Sequence, residues 1–473
     1  MKQKNYIWIG YCMKKNLVYT LSSQGVSIIL GILKVLILPF ILGIEEFGYW
    51  QVYLLYVGYL GILSFGFNDG IMLKYGSLNN NQLPKPLLRS SIQIFFFFQL
   101  FIGSLIGVIF LLETNPNKLF AFFFVAINIP IVGLTGVLNY ILQSTNQLKK
   151  FSILFIIDKV IVIIAILIMW KLNVGNFQMI ILFDTVSKAI ALFIMMYYCR
   201  DLFKGKKVKF NEGYLEFKQS ILVGIKVMVS NFLSMLILGY SMFLIERSRG
   251  IEEFSVYSFS ITTTNLILVF STALGTVIFP FISRRSEDLN KEIFSIISKL
   301  SSFAIIFLYI IYFPIRFIIE TFLIEFQAAL TYLPFIYLFI FSQSKMQLLI
   351  NPYYKRLREE TEMLYANLKV FIVSFLLVSV TFIIYKSILI VVVCIALSMF
   401  LRLILSELYL KKKLDIQKNI FSLFDIISIL VFLICASQPD VYIGFLLYML
   451  FLTILIIYKK ERIISLYKQV TNS

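Results

Sequence analysis

Lys34, Lys159, Lys188, Lys226, Lys299, Arg316, Lys345, Lys369 and Arg402 all sit inside long apolar stretches of a 473-residue chain. At the centre of a membrane-spanning helix a Lys or Arg costs roughly 2.5–3.5 kcal/mol on the insertion scale, so each needs a partner, an escape or a task. Escape means lifting the ammonium to the headgroups along the side chain's own stem. That suffices for Lys299 and Lys369, serves for Lys345 and Lys226, and is open to Arg316, just beyond Pro314. Lys34 has no such exit: it lies mid-stretch between Gly31 and Pro39, and its helical neighbours Leu30, Gly31, Ile37 and Leu38 carry no acid. Pro39 also removes a backbone donor and favours a bend. Lys188 has Asp184 one turn before it, the favourable acid-before-base spacing, and a neutralised structural pair is its simplest reading. Asp158 and Lys159 are adjacent, about 100° apart on a helix, and should need separate partners. Arg402 is intermediate. Carboxylates do occur in the stretches (Asp69, Asp158, Asp184, Glu246, Glu320, Glu407), mostly beside a base or an end. Positive charge is in excess, and in low dielectric a fixed lysine stabilises an anion, phosphate above all.

The elements that must hold these charges are spanning helices. Hydrophobic residues make up 60% of the chain and charged residues 14%, against roughly a quarter charged in soluble domains. Runs of about 20 apolar residues cross a bilayer only as helix. Fourteen can be drawn, from 17–43 to 440–458, with the eleventh and twelfth parted only at Lys386–Ser387. The pentapeptide Gly-Ile-Glu-Glu-Phe ends the first run at Gly43–Phe47 and the seventh at Gly250–Phe254, at the same topological place in two halves. The expected fold is an all-α polytopic membrane protein of about 14 helices. It comprises two parallel six-helix lobes (1–198 and 220–410), a basic linker at 199–219, and two further helices with a basic tail at 411–473. Tandem related bundles are a transporter's architecture.

Of the 43 Lys and Arg residues, 29 fall at every second connection, from Lys2 through Lys74, Arg89, Lys207, Arg284, Arg285, Lys412 and Lys418 to Lys468. The opposite connections hold only Lys118, Lys171, Arg247, Arg249 and Lys386. Basic residues stay inside, so both termini are expected in the cytoplasm. The net charge of +18 is then accounted for by topology and anionic lipid, with no nucleic acid implied. The first apolar run is too long for a cleaved leader. No histidine is present, and the four cysteines have no paired spacing. Neither a metal site, a disulfide framework nor a histidine relay is expected. No glycine-rich phosphate loop implies a nucleotide, and no cofactor is expected. The opposite-side connections, such as Ile44–Glu46 and Lys171–Phe177, are too short to carry a catalytic domain. The connection 200–219 reads as a linker, a strand or short helix lying on the inner leaflet.

Particular motifs then resemble a known family. Leu42–Tyr49 is similar to the Leu-Gly-x-Glu-x-Phe-Gly turn of bacterial polysaccharide transporters, and Phe65–Lys74 to the Gly-rich end of their second helix. Tyr140–Lys149 resembles the end of the fourth, and Gly224–Tyr257 the opening of the second half. The likeness is to Wzx-type O-antigen flippases of the multidrug/oligosaccharidyl-lipid/polysaccharide superfamily. It implies two lobes around a central cavity in the bacterial cytoplasmic membrane, and no enzyme activity. The implied cargo is an undecaprenyl-pyrophosphate-linked glycan, flipped by alternating access with the lipid tail along the last two helices. Other polysaccharide-assembly proteins are implied as partners. The first, second, seventh and eighth helices line that superfamily's cavity, which puts Lys34, Asn68, Asp69 and Lys226 first and Lys159, Lys188, Asp184 and Arg402 second. An ion-coupled multidrug or metabolite exporter of the same superfamily is the alternative reading, disfavoured by the lysine excess. A membrane-embedded polymerase is disfavoured by the short connections.

Overall fold

A computed structural model describes residues 2–76, 78–145, 147–283, 287–416 and 423–472, with side chains described outside 2–24, parts of 270–292, 423 and 459–472. The expectations resting on Arg284, Arg285 and Lys418, and on the side chains of Lys2, Lys4, Lys14, Lys15 and Lys468, lie outside the described residues.

Among the described residues there is no strand. Among the described residues, eleven helices are long and apolar enough to cross a membrane. The first two expected spans run together in α1 (Lys2–Gly58), which breaks at Gly43 (φ 69°, ψ 179°). Only glycine takes that conformation at little steric cost, which explains Gly43; Gly250, at the head of the second copy, has no positive φ. The thirteenth is represented by a short apolar helix, Phe424–Ala436. The expected parting at Lys386–Ser387 is present: Lys386 caps one helix in the left-handed region (φ 49°) and Ser387 precedes the next.

The chain divides into two compact units, Met1–Phe232 with Gly250–Ser255, and Leu233–Arg249 with Val256–Ser473. In the first, α1 packs with α4 (Pro116–Ser144), α5 (Leu148–Leu172) and α6 (Phe177–Tyr198), and α4 also carries α2 (Phe67–Tyr75) and α3 (Lys85–Phe110). The connection after α6 is shorter than expected, because α7 (Phe210–Ser248) already begins within it. Its first turns are anchored by buried Glu216, which accepts from Lys74 Nζ (2.7 Å), Tyr75 OH (2.8 Å) and Ser220 Oγ (3.0 Å). Glycines make that docking close: a Cβ on Gly70 would lie 1.8 Å from Ser220 O, and one on Gly224 2.0 Å from Gly66 O. Small residues that let backbones approach are the usual device for packing helices in lipid.

The second unit holds α8 (Ile251–Ser283), α9 (Glu287–Leu308), α10 (Tyr312–Phe322), α11 (Leu333–Lys345), α12 (Asn351–Leu357), α13 (Glu360–Tyr385), α14 (Ile388–Lys413), α15 (Leu423–Ala436) and α16 (Val441–Asn472). α15 and α16 pack on each other and on α9, α10 and α11. Two cations expected to escape to the surface do not. Lys345 is buried at 3.5 Å from buried Asp425 of α15. Arg316 pairs with Glu320 (2.7 Å) and donates to the carbonyls of Ala436, Gln438 and Pro439. In both cases a partner distant in sequence removes the need for escape. Lys299 and Lys369 are exposed, as expected of residues that can snorkel.

Candidate functional site

Asp184 is the centre of a polar cluster inside the first unit. Its carboxylate lies 3.8 Å from Lys34 Nζ, contacts Lys188 Nζ closely, and accepts from Tyr53 OH (2.7 Å). Tyr53 OH also meets Thr185 Oγ1 (3.3 Å), and Asn128 donates to both Tyr53 OH (3.1 Å) and Thr185 Oγ1 (2.9 Å). Lys34 further rests over the ring of Trp50, 4.4 Å from its centroid, a favourable cation–π placement. Two ammonium groups therefore share one carboxylate, and the cluster keeps one net positive charge.

Local sequence explains how the helices deliver these groups to one place. Asp184 and Lys188 share a face of α6 at i,i+4, the spacing that makes one-turn pairs meet. Beyond the Gly43 break, Trp50 and Tyr53 stand one turn apart on α1. The turn itself is tied to α6: Glu46 Oε2 accepts from Phe177 N (2.7 Å), and a Cβ on Gly175 would lie 2.4 Å from Ile41 O. Lys34 precedes the Gly43 break by nine residues on its helix, and Asp184 and Lys188 follow Phe177 by seven and eleven on theirs. At 1.5 Å per residue all three lie roughly 10–17 Å from the turn, about half the depth of a core about 30 Å thick. Asn128 comes from α4 just before Pro130, where the helix already lacks a donor.

One expectation about Lys34 is corrected here. No acid stands in register on its own helix, yet it is not unneutralised, because Asp184 reaches it from α6. At 3.8 Å an ion pair is worth about 4 kcal/mol at an effective dielectric near 20, enough to offset much of one buried charge. Lys188 is the tighter partner. Lys34, with its side chain 25% exposed against 7% for Asp184, is the looser one.

A cavity of about 250 Å³ opens beside the cluster, lined by α4, α5 and α6 with Thr135, Asn139, Asp158, Lys159 and Lys188 among its walls. Lys159 lies 3.9 Å from Asp158, donates to Phe155 O (2.9 Å) and covers the Phe155 ring. The two neighbours thus reach each other, where separate partners had been expected, because the long lysine stem folds back along its helix. Lys34, Lys188 and Asp184 are joined directly, and Lys188 shares the cavity with Lys159.

The remaining candidates stand elsewhere. Asn68 is buried against Gly136 with its Oδ1 unbonded among the described residues, and Asp69 is half-buried, 3.5 Å from Tyr140 OH. Among the described residues neither has a hydrogen bond or ion pair to the cluster. Lys226 is exposed on α7. Arg402 belongs to the second unit, fully buried, where its Nε donates to Asn367 Oδ1 (2.9 Å) and its Nη1 to Gln343 Oε1 (3.3 Å). Sequence reasoning missed Tyr53, Asn128, Thr185 and Trp50. Asn128 carried a signal, as an amide within an apolar stretch; the others are ordinary residues for a span. Among the described residues no group of His, Cys, Asp and Glu could hold a metal ion.

Residues 13–286 match the sequence pattern of the polysaccharide biosynthesis protein family. No curated protein matches the chain. Among solved structures, it is similar to a lipid II flippase, MurJ, in an inward closed conformation, at 16% identity and a TM-score of 0.68, covering 94% of this chain and 99% of that one. A MATE multidrug transporter, DinF-BH, is similar at 14% identity and a TM-score of 0.63, covering 85% and 95%. An inward-facing multidrug resistance MATE family transporter of the MOP superfamily is similar at 13% identity and a TM-score of 0.61, covering 84% and 98%. At these identities the likenesses show a shared fold.

Proposed function

Since this chain belongs to the polysaccharide biosynthesis protein family, we propose that it is a flippase carrying an undecaprenyl-pyrophosphate-linked oligosaccharide, an O-antigen or capsule repeat unit or a related one, across the cytoplasmic membrane. The cargo moves from the inner to the outer leaflet by alternating access of two tandem halves, with both termini cytoplasmic. The observation that carries the reading is the pair of lysines on one carboxylate. The cluster is buried near mid-membrane, keeps a net positive charge, and has its looser cation, Lys34, partly open. Pyrophosphate and sugar cannot cross hydrocarbon unaided, and desolvated ammonium groups stabilise phosphate oxygens strongly. In this mechanism the pyrophosphate takes Lys34 from Asp184, while Lys188 keeps Asp184 neutralised. The carboxylate then draws Lys34 back after release, which resets the site. The chain holds the cargo without altering its bonds. Exposed basic connections such as Lys204, Lys206 and Lys207 face anionic headgroups, and other polysaccharide-assembly proteins supply and collect the glycan.

Replacement of Lys34 tests this in cells that display the glycan. Lys34→Ala should abolish surface glycan at unchanged protein level, and Lys34→Arg should retain part of it, because charge matters more than shape. Normal glycan display by Lys34→Met would remove the basis of the proposal.

A further inference from the structure

We propose that the groove between α3, α4 and α6 binds one anionic phospholipid, with an acyl chain along its walls and the phosphate at Arg89 and Lys207. The groove holds about 490 Å³, within the roughly 300–1,000 Å³ usual for ligand sites. Its walls include Phe96, Leu100, Ile131, Leu134, Phe193 and Met196. From Arg89 to Leu100 it follows eleven residues of α3, about 16 Å, close to the depth of one leaflet of a core about 30 Å thick. The shape suits a single acyl chain entering from one membrane face.

Charge selects the headgroup. The charged lining residues, Arg89 and Lys207, both stand at the end where α3 begins and the connection after α6 crosses it. Arg89 is 7% exposed; its terminal nitrogens donate to the carbonyls of Lys206 and Asp201, and its Nε has no hydrogen-bond partner among the described residues. Among those residues no carboxylate pairs with it, because Asp201 gives its own to Lys85 at 2.6 Å. Lys207 is exposed and held over the groove's mouth by Gln93 Oε1 (2.6 Å). A guanidinium satisfied only by neutral carbonyls, beside an ammonium held by a neutral amide, leaves that end positive without a counter-ion. A phosphodiester supplies one, through charge-assisted hydrogen bonds. A zwitterionic lipid brings its own cation to the same place and gains less.

Native mass spectrometry of the purified full chain, titrated with phosphatidylglycerol or phosphatidylcholine, tests the site. The wild type should retain one phosphatidylglycerol with a preference of roughly thirtyfold over phosphatidylcholine, in keeping with two basic residues at the headgroup. Lys207→Glu should erase the preference while phosphatidylcholine still binds. Ala189→Phe, which fills the groove, should lose both lipids, and millimolar inorganic phosphate should displace neither. Equal retention of the two lipids, retention unchanged by both variants, displacement by inorganic phosphate, or displacement by a polyprenyl pyrophosphate would each overturn the assignment. The retention arms contain no cargo, so their failure leaves the transport reading standing.

Discussion

In the proposed mechanism the buried carboxylate between two ammonium groups sets the charge that meets the cargo, and single substitutions change that charge in opposite directions. Lys188→Met leaves one neutral pair, Lys34 with Asp184, and should cost transport at least as heavily as Lys34→Met, although Lys188 is the residue with the tighter contact. Asp184→Asn removes the cluster's negative member and leaves two buried ammonium groups facing a neutral amide. Stripping one partner from a buried ion pair costs about 3–5 kcal/mol, so this variant should lose protein level before transport is measured. Thermal unfolding in detergent and surface-glycan display, read on the same three variants, separate the two effects. If Lys188→Met flips normally, the net charge is not what the cargo recognises. Lys34 itself was legible from the sequence as a charge with no escape, but its partner was not. Asp184 comes from a helix 150 residues later, and the Glu46–Phe177 tie helps bring the two to one depth.

At the scale of helices, the apolar runs and their basic ends were readable because period and length are local properties. The tertiary partners were not: Lys345 meets Asp425 and Arg316 meets the carbonyls after α15 across gaps that no spacing rule reports. The last two helices are thus bonded into the second unit. Asp425→Ala, which strands buried Lys345, should lower the melting temperature of the purified chain by several degrees; an unchanged melting curve would mean that α15 is held by its apolar face alone. α2 and α7 make a second such joint. Gly70→Ala puts a Cβ 1.8 Å from Ser220 O, and overpacking of this kind typically costs about 1–3 kcal/mol or more. It should reduce folded yield far more than Gly61→Ala, where a Cβ would meet nothing within 4 Å. The Lys85–Asp201 ion pair at the start of α3 has its own pH signature. Partial burial pushes the Asp201 carboxyl up, but the hydrogen bond and charge of Lys85 outweigh it and hold the group below its usual 3.8. A depressed carboxyl stabilises above its unfolded value and loses that contribution as pH falls through the folded one. The stability difference between wild type and Asp201→Asn should therefore be flat from about pH 5 to pH 8 and vanish only below 3.8; a difference that grows across neutral pH would assign it to another group.

For the whole molecule, the alternation of basic connections predicts an orientation that can be read directly. Single cysteines at Glu45 and Glu253 should react with an impermeant reagent in intact cells, and cysteines at Lys207 and Lys412 should not. All four positions are exposed, so an inverted pattern would reverse the orientation and not merely report burial. The flip itself is the central claim. It is measured most directly in vesicles reconstituted with the purified chain and a fluorescent polyprenyl-pyrophosphate oligosaccharide, by following how fast an external glycan-cleaving enzyme gains access to the label initially facing the lumen. Wild-type protein should expose the inner pool far faster than empty vesicles, and Lys34→Met should slow it at least tenfold, the loss of about 1.4 kcal/mol of barrier lowering. Exposure no faster than in empty vesicles, or equally fast with Lys34→Met, would contradict the account.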